Sequence, residues 1–105
     1  MRRFTGQLDL LLLATLGGSP RHGYAVIEAL RERSGGAFDL PEGTVYPALH
    51  RLEDAGLVES WWAEVDGRRR RMYRLSGAGA AELVDRRREW TTFASGVEAI
   101  LGWSA

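Results

Sequence analysis

Residues 7–17, QLDLLLLATLG, spread Leu8, Leu10, Leu11, Leu12, Leu13, Ala14 and Leu16 around most of a helix. Leu and Ala favour the helix, and Gly17-Gly18 followed by Pro20 stops it. A helix that is apolar on nearly every side has to be covered on more than one of them. Residues 22–34 predict a second helix, with Val26, Ile27 and Leu30 inward and Glu28, Arg31 and Glu32 outward, ended by Gly35-Gly36. Phe38, Asp39 and Leu40 read as extended, a very short strand. A third helix is expected over 41–55, where Val45, Leu49 and Leu52 share a face and Gly56 supplies the left-handed stop. Pro41 suits a first helical turn. Pro47 removes one intrahelical bond and bends the helix, unless the regular helix begins near Thr44. The pattern is compatible with both starts.

Asp66-Gly67 is the signature of a two-residue type I′ hairpin turn. It joins 57–65 to 68–75 and fixes a register that sets Glu59 against Arg74, Glu64 against Arg69, Trp61 against Met72 and Trp62 against Arg71. A slip of one residue breaks all four pairs. Trp61 and Trp62, being adjacent, face opposite ways, so one of them is expected on the core side. The last element is a helix over 77–102, nearly 40 Å long at about 1.5 Å per residue. Leu83, Trp90 and Val97 recur every seven residues along it, and Phe93, Ala94, Ile100 and Leu101 widen the stripe. The helix is longer than a small domain needs, so its stripe is expected to pack on another copy of the chain. Trp103, near its end, is expected to be partly exposed.

The 105 residues suit one folded unit. With no cysteine, disulfides, thiolate zinc sites and cysteine nucleophiles are excluded. Two histidines, His22 and His50, make a multi-histidine metal site improbable, and no cofactor is expected. Arg2 and Arg3 ahead of the leucine run have the outline of a secretory leader, but Asp9 interrupts the run and no small-residue cleavage site follows. The run is too short to span a bilayer, so a cytoplasmic protein without membrane contact is expected. The formal net charge is zero, yet the charge is uneven. Residues 53–66 hold five acids and no base, whereas 67–74 hold five arginines and no acid. All fourteen basic residues are Arg. A neutral average conceals a cationic patch.

The order helix, helix, helix, hairpin, helix gives a fold class: mostly α with a β-hairpin wing (α+β). It is a winged helix-turn-helix over 1–76, followed by a dimerisation helix over 77–105. Such a unit places a helix in the major groove and an Arg-bearing hairpin near the backbone. Off the apolar face of the third helix lie Thr44, Tyr46, Pro47, His50 and Arg51. Arg51 is the strongest candidate for a base or phosphate contact, with Tyr46 and His50 as phosphate positioners. Side chains alternate along a strand, so the four consecutive arginines are not four DNA contacts. Arg69 and Arg71 face strand partners, while Arg68 and Arg70 are freer to reach phosphate. Asp9, Glu53 and Asp54 read as separate surface carboxylates, and no catalytic constellation appears.

Over residues 6–103 the chain resembles the small PadR-type transcriptional regulators. The motifs are GQLDLLLLATL, HGYAVIEAL, GTVYPALHRLEDAGLV, SWW and DGRRRRMYRLSGAG. The YPALHRLEDAGLV stretch, residues 46–58, is far more specific than a generic helix-turn-helix. Met72 departs from the family's frequent second Tyr, and the missing lysines leave phosphate contacts to Arg, hydroxyls and backbone N–H groups; the resemblance also implies that Trp62, where the family usually keeps its aromatic, is the tryptophan on the core side. The resemblance implies a homodimeric repressor with a double-stranded DNA operator, binding a pseudo-palindrome. It also implies a response to a small aromatic or hydrophobic effector. Tyr24 belongs to the family's HGY corner and is carried over as a DNA-binding candidate, against a half-buried core role. Leu8, Leu12, Leu83, Trp90, Phe93, Val97, Ile100 and Leu101 are the expected dimer interface. Trp90 is open to two readings, interface core or a ligand-stacking platform with Phe93 and Leu8, where Arg86 and Arg87 would attract an anionic ligand group. The competing function is a dimeric winged-helix interaction module without DNA binding.

Overall fold

In the computed structural model, which describes residues 5–102, Asp66 and Gly67 take positive φ values of 52° and 77°. That is the type I′ turn, whose twist matches the strands it joins. The hairpin strands are β2 (Val58–Val65) and β3 (Arg68–Leu75), and their register is the expected one, from Val58 opposite Leu75 to Val65 opposite Arg68. The remaining elements are α1 (Thr5–Leu16), β1 (Arg21–His22), α2 (Gly23–Arg33), α3 (Glu42–Asp54) and α4 (Gly77–Leu101). The sheet has the order β1-β3-β2 and is antiparallel throughout. The mostly α fold with a hairpin wing is therefore observed.

The third strand is β1, where Arg21 pairs with Tyr73 and His22 with Met72. Residues 38–40 form no strand, which corrects the expectation for Phe38–Leu40. They form irregular linker ahead of α3. The regular helix of α3 starts at Glu42, with Pro41 as its cap residue and Pro47 inside it. Pro47 can donate nothing to the Gly43 carbonyl. A Schellman arrangement ends α3, with Leu57 N–H donating to Leu52 O at 3.0 Å and Gly56 N–H to Glu53 O at 2.9 Å.

The core joins Leu12, Leu13 and Leu16 of α1 to Val26, Ile27 and Leu30 of α2 and Val45, Ala48, Leu49 and Leu52 of α3. Val58 and Tyr73 close it from the sheet and Leu83 from α4. Each such Leu or Val contributes about 1.5–3 kcal/mol relative to an exposed position. Thr15 is buried among them, and its hydroxyl donates to Leu11 O at 2.7 Å.

The start of α4 is fixed tightly. Ser76 Oγ accepts from Gly79 N–H at 3.0 Å and donates to Gly56 O at 2.6 Å. A Cβ on Gly79 would stand 1.9 Å from Leu57 O, so only glycine fits this crossing. Past Arg86 the helix leaves the core, and the described residues extend 52 × 28 × 23 Å. Two expected interface residues are corrected here. Leu12 and Leu83 are buried in the chain's own core, because the wrap-around apolar surface of α1 is consumed by α2, α3 and the base of α4. Trp103 lies outside the described residues, as do Arg2 and Arg3.

Candidate nucleic-acid interface

With about 3.6 residues per turn, burying Val45, Leu49 and Leu52 turns Pro47, His50 and Asp54 outward on α3. Thr44 and Arg51 flank that outward face on one side, Tyr46 and Glu53 on the other. Thr44, Pro47, His50 and Arg51 are exposed, and Tyr46 is half-buried. Tyr46 is held by the start of α2. A Cβ on Gly23 would lie 2.3 Å from its ring, so the glycine is what lets the ring in. Burial, followed by Glu42, pushes the Tyr46 phenol up, so its hydroxyl remains a donor at neutral pH. Tyr73, inside the core, is raised for the same first reason, and its Oη lies 3.5 Å from His50 Nε2.

The His22-Gly23-Tyr24 corner gains a physical account. His22 caps α2, its Nδ1 accepting from Ala25 N–H at 3.1 Å. Its pKa is lowered by burial first and then by the nearby Arg70. Tyr24 stacks on the His22 ring, with centroids 6.5 Å apart and planes 10° apart, and is exposed. It is a surface aromatic, not a core one.

The wing divides its arginines. Arg71 Nε donates to Ser60 Oγ at 3.0 Å, Ser60 in turn hydrogen-bonds Glu53 of α3, and Arg71 lies 3.9 Å from the same carboxylate. Arg69 and Arg71 both lie over the Trp62 ring, at 4.9 and 5.4 Å from its centroid. Arg74 pairs with Glu59 at 3.1 Å and covers Trp61. Arg69, set opposite Glu64 in register, is drawn to Trp62. Trp62 corrects the expectation of a core-side tryptophan. It shares a hairpin face with Val58 and Tyr73 by strand alternation, but it sits beyond the edge of the helical layer and is 55% exposed. Arg68 is exposed, Arg70 half-buried, and both point to the opposite face from Trp62.

Arg51 departs most from the expectation. Its guanidinium is paired with Asp9 of α1, which is also 3.7 Å from Arg86 of α4. Asp9 is thus half-buried between two cations, not a lone surface carboxylate, and Glu53 is a tie to the wing. Arg86 donates to Glu82 at 2.8 Å and to Gly6 O at 3.3 Å, so it is committed within the fold and does not wait for a ligand. Sequence reasoning missed Asp9, Ser60 and Glu53 as partners because the pairs join distant segments. The HGY motif was the one available signal for His22 and Gly23.

Beyond Arg86, α4 presents Trp90, Phe93, Val97, Ile100 and Leu101, all exposed. Trp90 and Phe93 touch, with centroids 5.8 Å apart and planes tilted by 35°. Leu8 packs partly buried against the core. Among the described residues no cluster of His, Cys, Asp and Glu could hold a metal ion, and no helix is long and apolar enough to cross a membrane.

Comparison with known proteins fits this geometry. The model of the transcriptional regulator PadR-like family matches residues 12–85. A PadR family transcription regulator from Clostridium difficile superposes with a TM-score of 0.82 at 32% identity, covering 91% of this chain and 99% of that one. A transcriptional regulator from Clostridium thermocellum gives the same TM-score at 25% identity, covering 90% and 93%. Transcriptional regulator Rv3488 of Mycobacterium tuberculosis is 48% identical over 58 residues, 55% of this chain and 54% of its own length. With its helix-turn-helix, arginine-bearing hairpin and long last helix, the chain belongs to the PadR-like family of transcriptional regulators.

Proposed function

We propose that this regulator is a homodimeric repressor that binds a pseudo-palindromic operator in double-stranded DNA, in the cytoplasm. Its outward α3 face enters the major groove, with Thr44, Pro47, His50, Arg51 and the Tyr46 hydroxyl at the DNA. Tyr24 at the α2 start and Arg68 and Arg70 on the wing reach phosphate. The observation that carries the reading is the division of the wing: Arg69, Arg71 and Arg74 are spent on Trp62, Glu53 and Glu59, while Arg68 and Arg70 stay outside these pairs. The second protomer covers Trp90, Phe93, Val97, Ile100 and Leu101, and two recognition helices then lie about one DNA turn apart. A small aromatic or hydrophobic effector enters beside Trp90 and Phe93, near Leu8, and the exposed Arg87 is placed to attract an anionic group on it. By splaying the long helices it lowers operator affinity, within the differential affinity it has for the two dimer states.

The test is binding to duplexes enriched from a random-sequence pool, measured as a function of salt. Replacing Arg68 and Arg70 with Ala weakens binding to every duplex and flattens the slope of log K against log salt by about one to two units. An unchanged slope removes the wing from phosphate. A chain that dimerises but binds no duplex at low salt is the interaction module instead, a reading favoured by the zero net charge and by the capture of Arg51 by Asp9.

A further inference from the structure

One half-buried carboxylate joins three helices. Asp9 of α1 accepts from Arg51 of α3 through Oδ1 and forms an ion pair with Arg86 of α4 through Oδ2. Its side chain is 14% exposed and that of Arg86 13%, against 54% for Arg51. Arg86 cannot drift, because Glu82 Oε2 and Gly6 O hold it from two other directions. The rigid end of the network is therefore on α4 and α1, and the free end is the Arg51 guanidinium on the flank of α3.

We propose that Asp9 is a positioning residue for DNA reading, holding Arg51 in a fixed pose while Arg86 holds Asp9. This rests on the reading of Arg51 as a DNA contact. A single contact through Nη2 leaves the other N–H groups of Arg51 for a base edge or phosphate. A guanidinium already ordered by a carboxylate loses less side-chain freedom when it binds, and it reads one geometry in preference to others. Only the correctly placed acceptor benefits, so the device raises discrimination more than general affinity. It also gives the long helix a polar route to the recognition helix. Arg86 stands one turn before Trp90, so a shift of α4 displaces Asp9 and, through it, Arg51.

The experiment compares the full chain and its variants on two duplexes, one enriched by the native protein from a random pool and one of shuffled sequence. Asp9→Asn is expected to lower the preference for the enriched duplex about tenfold, with shuffled binding nearly unchanged. Arg51→Ala is expected to do the same, and the double variant no more than either alone. Arg86→Gln follows in the same direction by a smaller factor, and it carries the test should Asp9→Asn fail to fold. A thermal melt of each variant separates loss of preference from loss of fold. The proposal is overturned if Asp9→Asn tightens both duplexes and steepens the salt slope by about one unit, for Asp9 is then a competitor of DNA for Arg51. It is also overturned if Arg51→Ala loses preference while Asp9→Asn and Arg86→Gln keep it. If Arg51→Ala itself leaves preference intact, Arg51 does not read DNA, and the proposed contact falls first.

Discussion

The two halves of α4 obey different rules. Its first ten residues are built into the winged helix: Ser76 caps it, Gly79 crosses the Leu57 carbonyl, Leu83 packs under Gly17, and Arg86 is gripped by Glu82, Asp9 and Gly6. Its later residues carry large apolar side chains that stay exposed to differing degrees; Ile100 is 87% exposed and Val97 36%. An exposed Leu or Val is ordinary by itself, but a continuous stripe with Trp90 and Phe93 is not. One half of the helix completes a core, and the other leaves its apolar side chains exposed. A heptad pattern read along the sequence merges the two, since Leu83, Trp90 and Val97 recur every seven residues whatever surrounds them.

The largest effect that separates the halves comes from one substitution made twice. Gly79→Ala places a methyl against backbone that cannot turn aside, and about 3 kcal/mol or more of stability should be lost. Gly96→Ala adds the same methyl in the later half, where, apart from the neighbouring backbone of α4, no atom of the described residues lies within 4 Å. Removing a mid-helix glycine there should stabilise by about 0.5–1 kcal/mol. Urea unfolding of both variants decides the matter. A loss at Gly96 comparable with that at Gly79 would mean that another copy approaches the helix closely at that point.

A smaller change in the protomer, though a decisive one for assembly, is Val97→Arg. In an isolated chain this half-exposed position accepts an arginine at little cost. In a dimer joined along the stripe it buries an unpaired charge, worth about 3–5 kcal/mol. Sedimentation at micromolar concentration should give about twice the 11.7 kDa chain mass for the parent and the chain mass for the variant. Equal masses would leave the later half of α4 unexplained by self-association.

How much of this was legible beforehand depends on whether the cause was local. The hairpin was readable because Asp66-Gly67 specifies the turn and the turn specifies every pair after it. The stop at Gly56 was readable for the same reason, as were the helix faces set by Val45, Leu49 and Leu52. The strand Arg21–His22 was not, because two residues carry no period and their pairing depends on Tyr73 and Met72. Trp62 was misjudged because alternation gives the face of a strand but not where the layer above it ends. Leu12 was misassigned because a helix apolar all round does not tell which neighbours are its own. At the candidate interface, residue types on α3 and the odd–even split of the wing were accessible. The Asp9–Arg51 pair spans 42 positions, and the Glu53–Ser60–Arg71 tie links helix to hairpin, so both follow only from the packed fold.

The smallest expected effect lies outside α4, in the cap of α2. His22 holds Ala25 N–H through Nδ1, which requires that nitrogen to be unprotonated. Protonation removes the acceptor and sets a cation beside Arg70, and together with burial this lowers the His22 pKa from its usual 6.5. In the window between the lowered pKa and 6.5, the unfolded chain binds the proton more readily than the folded one, so stability rises with pH there. The contribution of the cap is fully present above 6.5, declines as pH falls through the window, and is exhausted below the folded-state pKa. His22→Asn keeps an N-cap acceptor and removes the titration. Melting temperatures recorded from pH 7.5 down to 5.5 should therefore fall more steeply for the parent than for His22→Asn, with the two curves closest at the alkaline end. Parallel curves over that range would show that the cap is not sensitive to the charge on His22, and that the pH response of the winged helix comes from its carboxylates.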